Sequence, residues 1–215
     1  MNPPLISIAF LVAYLIGSIP TAVWVGQAYF GIDIREHGSK NAGATNTFRV
    51  LGRKAGIFVL IIDILKGWTA SCLASILLDM NLIEVQYLVF FKIALGFMAV
   101  IGHLFPVFTW FKGGKGVATF FGVILCVTSK TALACSLLFL VILILSNYVS
   151  LSSILSSICF FSLQFFSYFN PEGTLLIIFG LVVFLIILLT HRKNISRLLH
   201  GQENKIYFFP NKIKG

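Results

Sequence analysis

Acidic side chains are nearly missing from this chain: seven Asp and Glu stand against sixteen Lys and Arg in 215 residues. Charged residues of both signs reach only 11%, where a soluble chain carries roughly 25%. So little charge cannot clothe a water-facing surface, and 58% apolar residues rules out a disordered chain as well. Cysteine is scarce too. Cys72, Cys126, Cys135 and Cys159 all lie inside apolar runs, with no CxxC pair and no neighbouring histidine cluster. That pattern argues against a disulfide framework and against a zinc site. The first apolar run lacks a basic n-region and a small-residue cleavage site, so it reads as a retained span and not as a signal peptide.

What is present is long apolar sequence, with a mean hydropathy of +0.97. A crossing helix needs about 20 apolar residues. Runs at about 5–28, 56–78 and 86–108 qualify. From Val117 the chain is apolar almost to Asn170, and polar breaks at Thr128-Ser129-Lys130 and Ser146-Asn147-Tyr148 divide it into about 115–128, 131–147 and 149–169. Asn170-Pro171-Glu172-Gly173 is a turn signal, and about 174–190 is the last run. The expectation is an all-α, polytopic integral membrane bundle of about seven transmembrane helices, one domain over 1–215. The fourth span is short for a crossing.

Charge orients the spans. Of the 16 basic residues, 13 fall in three segments: 31–55, 109–116 and the tail after 190. The intervening turns hold Asp79, Glu84 and Glu172, with Lys130 as the basic exception. Seven spans place all three basic segments on one face. The positive-inside rule then puts the N-terminus outside and the C-terminus in the cytoplasm. The net charge of +9 is accordingly read as topology and not as a nucleic-acid footprint.

Each basic segment also carries groups suited to phosphate. Residues 31–56 are far longer than a helix connector requires. They combine glycines, the neutral hydrogen-bonding groups of Ser39, Asn41, Thr45, Asn46 and Thr47, and the guanidinium forks of Arg49 and Arg53. Arginine pairs bidentately with phosphate. Gly113-Gly114-Lys115-Gly116 stands where a helix begins, which suits an anion cradle. It is not a Walker A loop, and read alone it is equally a flexible turn with a snorkelling lysine. In 191–205, His191, Asn194 and Arg197 are three apart and can share one face of a continuing helix. An amphipathic tail resting on headgroups explains that segment equally well. One phosphate-handling site explains all three segments together. Within the spans, Asp63 and Lys66 are three apart and can pair with each other, for structure or in support of a site. His103, just before Pro106, is either a partner of a helix kink or a site residue.

Taken in order, Gly17-Ser18-Ile19-Pro20, HGSKNAGATNTFRVLG, DILKG at 63–67, GHLFPVFTWFKGGKGVAT and HRKNISRLLHGQE make the chain resemble the bacterial acyl-phosphate:glycerol-3-phosphate acyltransferase family, PlsY. The resemblance runs from end to end. It implies a seven-helix membrane enzyme of the cell inner membrane with its site at the cytoplasmic face. Such an enzyme moves a fatty acyl group from acyl phosphate to the 1-position of glycerol 3-phosphate, giving lysophosphatidic acid and phosphate, the first step of phospholipid synthesis. It further implies that Ser39 and Arg49 stand at the substrate phosphates, that Lys115 binds phosphate, and that His191 and Asn194 are needed for activity, with Glu203 following in the same segment. Lys40 departs from the family pattern, which has a small or neutral residue there.

The H-x-x-x-x-D dyad of other glycerolipid acyltransferases is absent: five residues after His37, His103, His191 and His200 come Ala42, Phe108, Ser196 and Lys205. No cofactor and no metal are expected. The partners are glycerol 3-phosphate, acyl phosphate and membrane lipid, with an acyl-phosphate-producing enzyme upstream and no nucleic acid. Acyl phosphate carries a good leaving group, so the protein has mainly to position two anions and neutralise the departing phosphate. The hydroxyl proton goes either to His191 or to a substrate phosphate, whose pKa is near 6. The second is preferred, since no carboxylate lies three or four residues from His191. The rival reading is a membrane transporter of an organic phosphate. Against it, the halves show no convincing repeat, and the polar residues gather at one face.

Overall fold

A computed structural model describes residues 2–206 of the chain. The basic residues Lys212 and Lys214, counted above with the tail, lie outside the described residues. Ten α-helices follow in order among the described residues: α1 Pro3–Ser18, α2 Thr21–Phe30, α3 Ala44–Val50, α4 Arg53–Asp79, α5 Leu88–Leu104, α6 Val117–Val127, α7 Ser129–Ser146, α8 Val149–Leu163, α9 Thr174–Thr190 and α10 Arg192–Leu199. No strand occurs among them.

Among the described residues the apolar helices are less uniform than the runs suggest. The 27-residue α4, the 25-residue stretch Val85–Thr109 and the 18-residue α7 are long and apolar enough to cross a membrane. The first run is two helices, not one. Pro20 has no N–H to donate, and the chain bends by 42° between α1 and α2. Likewise α10 does not continue α9, since the two meet at 63° across His191. The helices α6 and α8, with 11 and 15 residues, are short for a crossing. In particular α8 stops at Leu163 and does not run to 169. Beyond it Asn170 Nδ2 donates to the carbonyls of Gln164, at 2.7 Å, and Gly173, at 2.8 Å, which closes a turn before α9.

Packing concentrates on α4, which lies against α1, α3, α5 and α6, while α7, α8 and α9 pack in series. Close approach of α4 and α6 needs Gly122: a Cβ there would stand 2.0 Å from the Ile64 carbonyl oxygen. Between α5, α6, α8 and α9 the core is aliphatic and aromatic, with Val100, Phe120, Val123, Phe160, Phe179 and Val183 buried. A second cluster of Ala13, Ala70, Ala74, Leu95 and Ala99 joins α1, α4 and α5 through small side chains. The large apolar residues left exposed, such as Leu133, Leu137, Ile144, Leu145 and Leu189, clothe the outside as a lipid-facing surface would require.

Candidate active site

A cavity of about 390 Å³ opens among α3, α4, α6, α7, α8 and α9. One end is polar. Ser39, Asn41, Thr45 and Arg49 come from the first loop and α3, Lys115 and Gly116 from the turn before α6, and His191, Asn194 and Glu203 from the region around α10. The other end is apolar, walled by Leu60 and Ile64 of α4, Phe120, Phe121 and Ile124 of α6, Cys135, Phe139 and Leu140 of α7, and Phe160 of α8. The three basic segments therefore meet at one place, although up to 155 residues separate their contacts in sequence.

A hydrogen-bonded chain ties the polar end together. Lys115 Nζ donates to Asn194 Oδ1. Asn194 Nδ2 donates to Glu203 Oε1 at 2.7 Å, Ser150 Oγ to the same oxygen at 3.0 Å, and Arg197 Nε to Glu203 Oε2 at 2.7 Å. Burial alone would push the Glu203 carboxyl up, but the hydrogen bonds from Arg197, Asn194 and Ser150 outweigh it and hold the group below the usual carboxylate range. Lys115 is pushed down to about 8, chiefly by burial; Glu203 opposes the shift, and Arg197 and Arg49 add to it. Burial also lowers Arg49. Its Nη2 donates to the Asn204 carbonyl at 2.9 Å, while its buried Nε has no partner among the described residues. His191, just past the end of α9, is 3% exposed. Its Nδ1 donates to the Ile187 carbonyl at 2.9 Å. A carbonyl can only accept, so in the neutral ring Nε2 keeps the free lone pair.

Not every residue expected at the site offers it a free group. Asn46 lines the cavity, but its amide is committed to the loop. Its Oδ1 accepts from Ser39 N at 2.8 Å, and its Nδ2 donates to the carbonyls of Ile34 and His37, both at 3.0 Å. Gly113 and Gly114 stand behind the polar end and not in its wall, and so does Lys66. Asp63 and His103 border the cavity from below. As the sequence allowed, Asp63 pairs with Lys66, with Oδ1 and Nζ 2.7 Å apart. Sequence reading missed the serines of α8: Ser150, Ser153, Ser156 and Ser157 all line the cavity. Their three- and four-residue spacing in an apolar helix was the available signal.

The chain's relatives agree on one family. The family model described as glycerol-3-phosphate acyltransferase matches residues 7–201. A glycerol-3-phosphate acyltransferase of Fusobacterium nucleatum is 40% identical over 92% of this chain and 96% of its own length. One from Macrococcus caseolyticus is 42% identical over 94% and 98%, and one from Streptococcus pyogenes 44% identical over 91% and 90%. Among solved structures, the glycerol 3-phosphate form of PlsY, an integral membrane glycerol 3-phosphate acyltransferase, superposes with a TM-score of 0.81 at 36% identity, over 94% of this chain and 96% of that one. The lysophosphatidic acid form of PlsY gives 0.78 at 36% identity, over 94% and 95%.

Proposed function

The chain belongs to the glycerol-3-phosphate acyltransferase family, and from that membership we propose that it transfers a fatty acyl group from acyl phosphate to the 1-hydroxyl of glycerol 3-phosphate. The products are 1-acyl-glycerol 3-phosphate and inorganic phosphate. The observation that carries the reading is a single cavity that is cationic at one end and apolar at the other. Both substrates are anions, and one also has a long chain. The polar end suits two phosphates and the apolar end suits the acyl tail.

The geometry supports the following roles. Lys115 and Arg49 bind phosphate, and the unpartnered Nε of Arg49 supplies a donor for it. Asn194 holds Lys115 in place, and Glu203 holds Asn194. Ser39, Asn41, Thr45 and Gly116 complete the polar wall, with Ser39 held through its backbone by Asn46. The hydroxyl oxygen of glycerol 3-phosphate attacks the acyl carbon. The bond from that carbon to the phosphate oxygen breaks, and Lys115 and Arg49 offset the charge that collects on the leaving phosphate. The hydroxyl proton goes to a substrate phosphate, which has a pKa near 6. His191 orients that phosphate. Burial and the neighbouring Lys115 ammonium both oppose a positive charge on its ring, and together they outweigh the hydrogen bond to Ile187 and the Glu203 carboxylate, which favour one. The chain works as one unit in the cell inner membrane, crossing it seven times with the cavity mouth toward the cytoplasm.

Purified enzyme in detergent tests the reading. Phosphate should be released from palmitoyl phosphate only when glycerol 3-phosphate is present. Arg49→Ala and Lys115→Ala should each lose about 10- to 150-fold in kcat/KM, the worth of a charge-assisted hydrogen bond at roughly 1.5–3 kcal/mol. Arg49→Lys should recover only part, since the fork is lost. Phosphate release that ignores glycerol 3-phosphate would refute the reaction.

A further inference from the structure

We propose that His103 is a positioning residue for the reaction: it is the seat on which the glycine turn rests, and so it sets where Lys115 meets phosphate. The proposal depends on the reading of Lys115 as a phosphate ligand.

Three ionisable side chains are buried beneath that turn. Asp63, Lys66 and His103 are 2%, 4% and 7% exposed. Lys66 Nζ pairs with Asp63 Oδ1 at 2.7 Å and also donates to the Ile19 carbonyl, at the bend where Pro20 interrupts the helix. A buried pair of this kind does not by itself argue for stability, because desolvation offsets its attraction. Its position argues for something else. His103 Nδ1 stands 3.8 Å from Asp63 Oδ1, so one edge of the ring faces the pair. The opposite edge faces the turn. A Cβ built on Gly114 would stand 2.2 Å from His103 Nε2, and one built on Gly113 would stand 2.0 Å from the His103 carbonyl oxygen. That same carbonyl accepts from Gly114 N at 3.1 Å. The next residue is Lys115.

Close approach therefore explains these two glycines better than ligand contact does. Gly113 and Gly114 do not line the large cavity, and neither has a positive φ. They are small because imidazole and main chain of His103 occupy the space where side chains would be. Shifting the seat shifts Lys115, and a misplacement of about 1 Å can cost on the order of a hundredfold in rate.

A double-mutant cycle on the full-length enzyme tests this. His103→Ala should lower kcat/KM for glycerol 3-phosphate about tenfold or more. His103→Ala with Lys115→Ala should be no worse than Lys115→Ala alone, because His103 acts only through the lysine. The alkaline limb of activity, set by Lys115 near pH 8, should move upward in His103→Ala as the turn relaxes toward solvent. Gly114→Ala should also impair the enzyme, and His103→Ala should relieve part of that defect by removing the ring. Should His103→Ala fail to fold, His103→Gln is read in the same cycle. Additive losses, an unmoved alkaline limb, or unchanged kcat/KM at the wild-type melting temperature would overturn the proposal. A Lys115→Ala enzyme of normal activity would instead overturn the phosphate reading on which it rests.

Discussion

At the scale of single residues, the site sets a half-buried lysine beside a histidine whose burial disfavours its charged form, and each makes a prediction. The phosphate-binding role proposed for Lys115 requires its protonated form. Burial has lowered its pKa to about 8, so the free enzyme holds the ammonium below that pH and loses it above. Affinity for glycerol 3-phosphate should fall as pH rises through about 8, and binding above that pH should draw a proton from buffer. Calorimetry in buffers of different ionisation enthalpy reads that uptake directly, and in Lys115→Arg both effects should vanish. His191 makes the second prediction. As a donor or acceptor that orients phosphate, it should be replaceable in large part by glutamine but not by alanine. Single-turnover rates of His191→Gln should approach wild type, with no titration lost near 4, where burial has moved the ring. Were the ring instead the general base, both variants would lose roughly 100- to 10,000-fold. The sequence identified both residues. The orienting partner of the ring is a backbone carbonyl four residues earlier, and no side-chain pattern announces that.

Helices divide the labour of the cavity. Short α6 forms the floor of the apolar end through Phe120, Phe121 and Ile124, with Leu60 of α4 on one flank and Leu140 of α7 on the other. Leu60 and Leu140 are themselves 41% and 51% exposed, so the apolar end reaches the outer surface between their helices. Serines of α8 form part of the wall, and two of them return their hydroxyls to carbonyls of their own helix: Ser153 to Val149 and Ser157 to Ile154. Ser156 donates instead across to the Cys135 carbonyl of α7. Filling this end should shorten the acyl chain that fits. Cys135→Phe should lower kcat/KM for palmitoyl phosphate by about tenfold or more while sparing lauroyl phosphate, since overpacking a filled apolar site costs roughly 1–3 kcal/mol. An equal loss for both chain lengths would mean that the tail lies elsewhere. These elements were partly legible beforehand. The apolar runs and their polar breaks located α7 and α9 closely, because helix-forming apolar sequence is a local property. The bend at Pro20 had a visible cause in the sequence, but the bend at His191 and the early end of α8 were not legible, because they depend on which carbonyl or side chain is near enough to take an unpaired backbone group.

For the molecule as a whole, the proposed seven-span topology makes both long basic segments cytoplasmic. Single cysteines at the exposed positions Glu36 and Gln202, in a background without Cys72, Cys126, Cys135 and Cys159, should be protected from an impermeant thiol reagent in intact cells. A cysteine at exposed Glu172 should be labelled. The reverse pattern would refute the orientation. The amino-acid sequence by itself determined the membrane class, through its lack of charge, and the sidedness expected of the chain, through the clustering of its lysines and arginines. It also determined the family, through motifs that keep their order from end to end. Both hydropathy and charge are summed along the chain, so they can be read without knowing what touches what. Only the tertiary structure decided which polar residues share a cavity. It turned Asn46 into a brace for the first loop, placed Gly113 and Gly114 on His103, brought unheralded serines of α8 to the wall, and gathered Ser150, Asn194 and Arg197 onto Glu203. Those outcomes rest on contacts between residues far apart in sequence, such as Ser150 and Glu203 at 53 positions, and packing geometry alone brings such pairs within reach of a hydrogen bond.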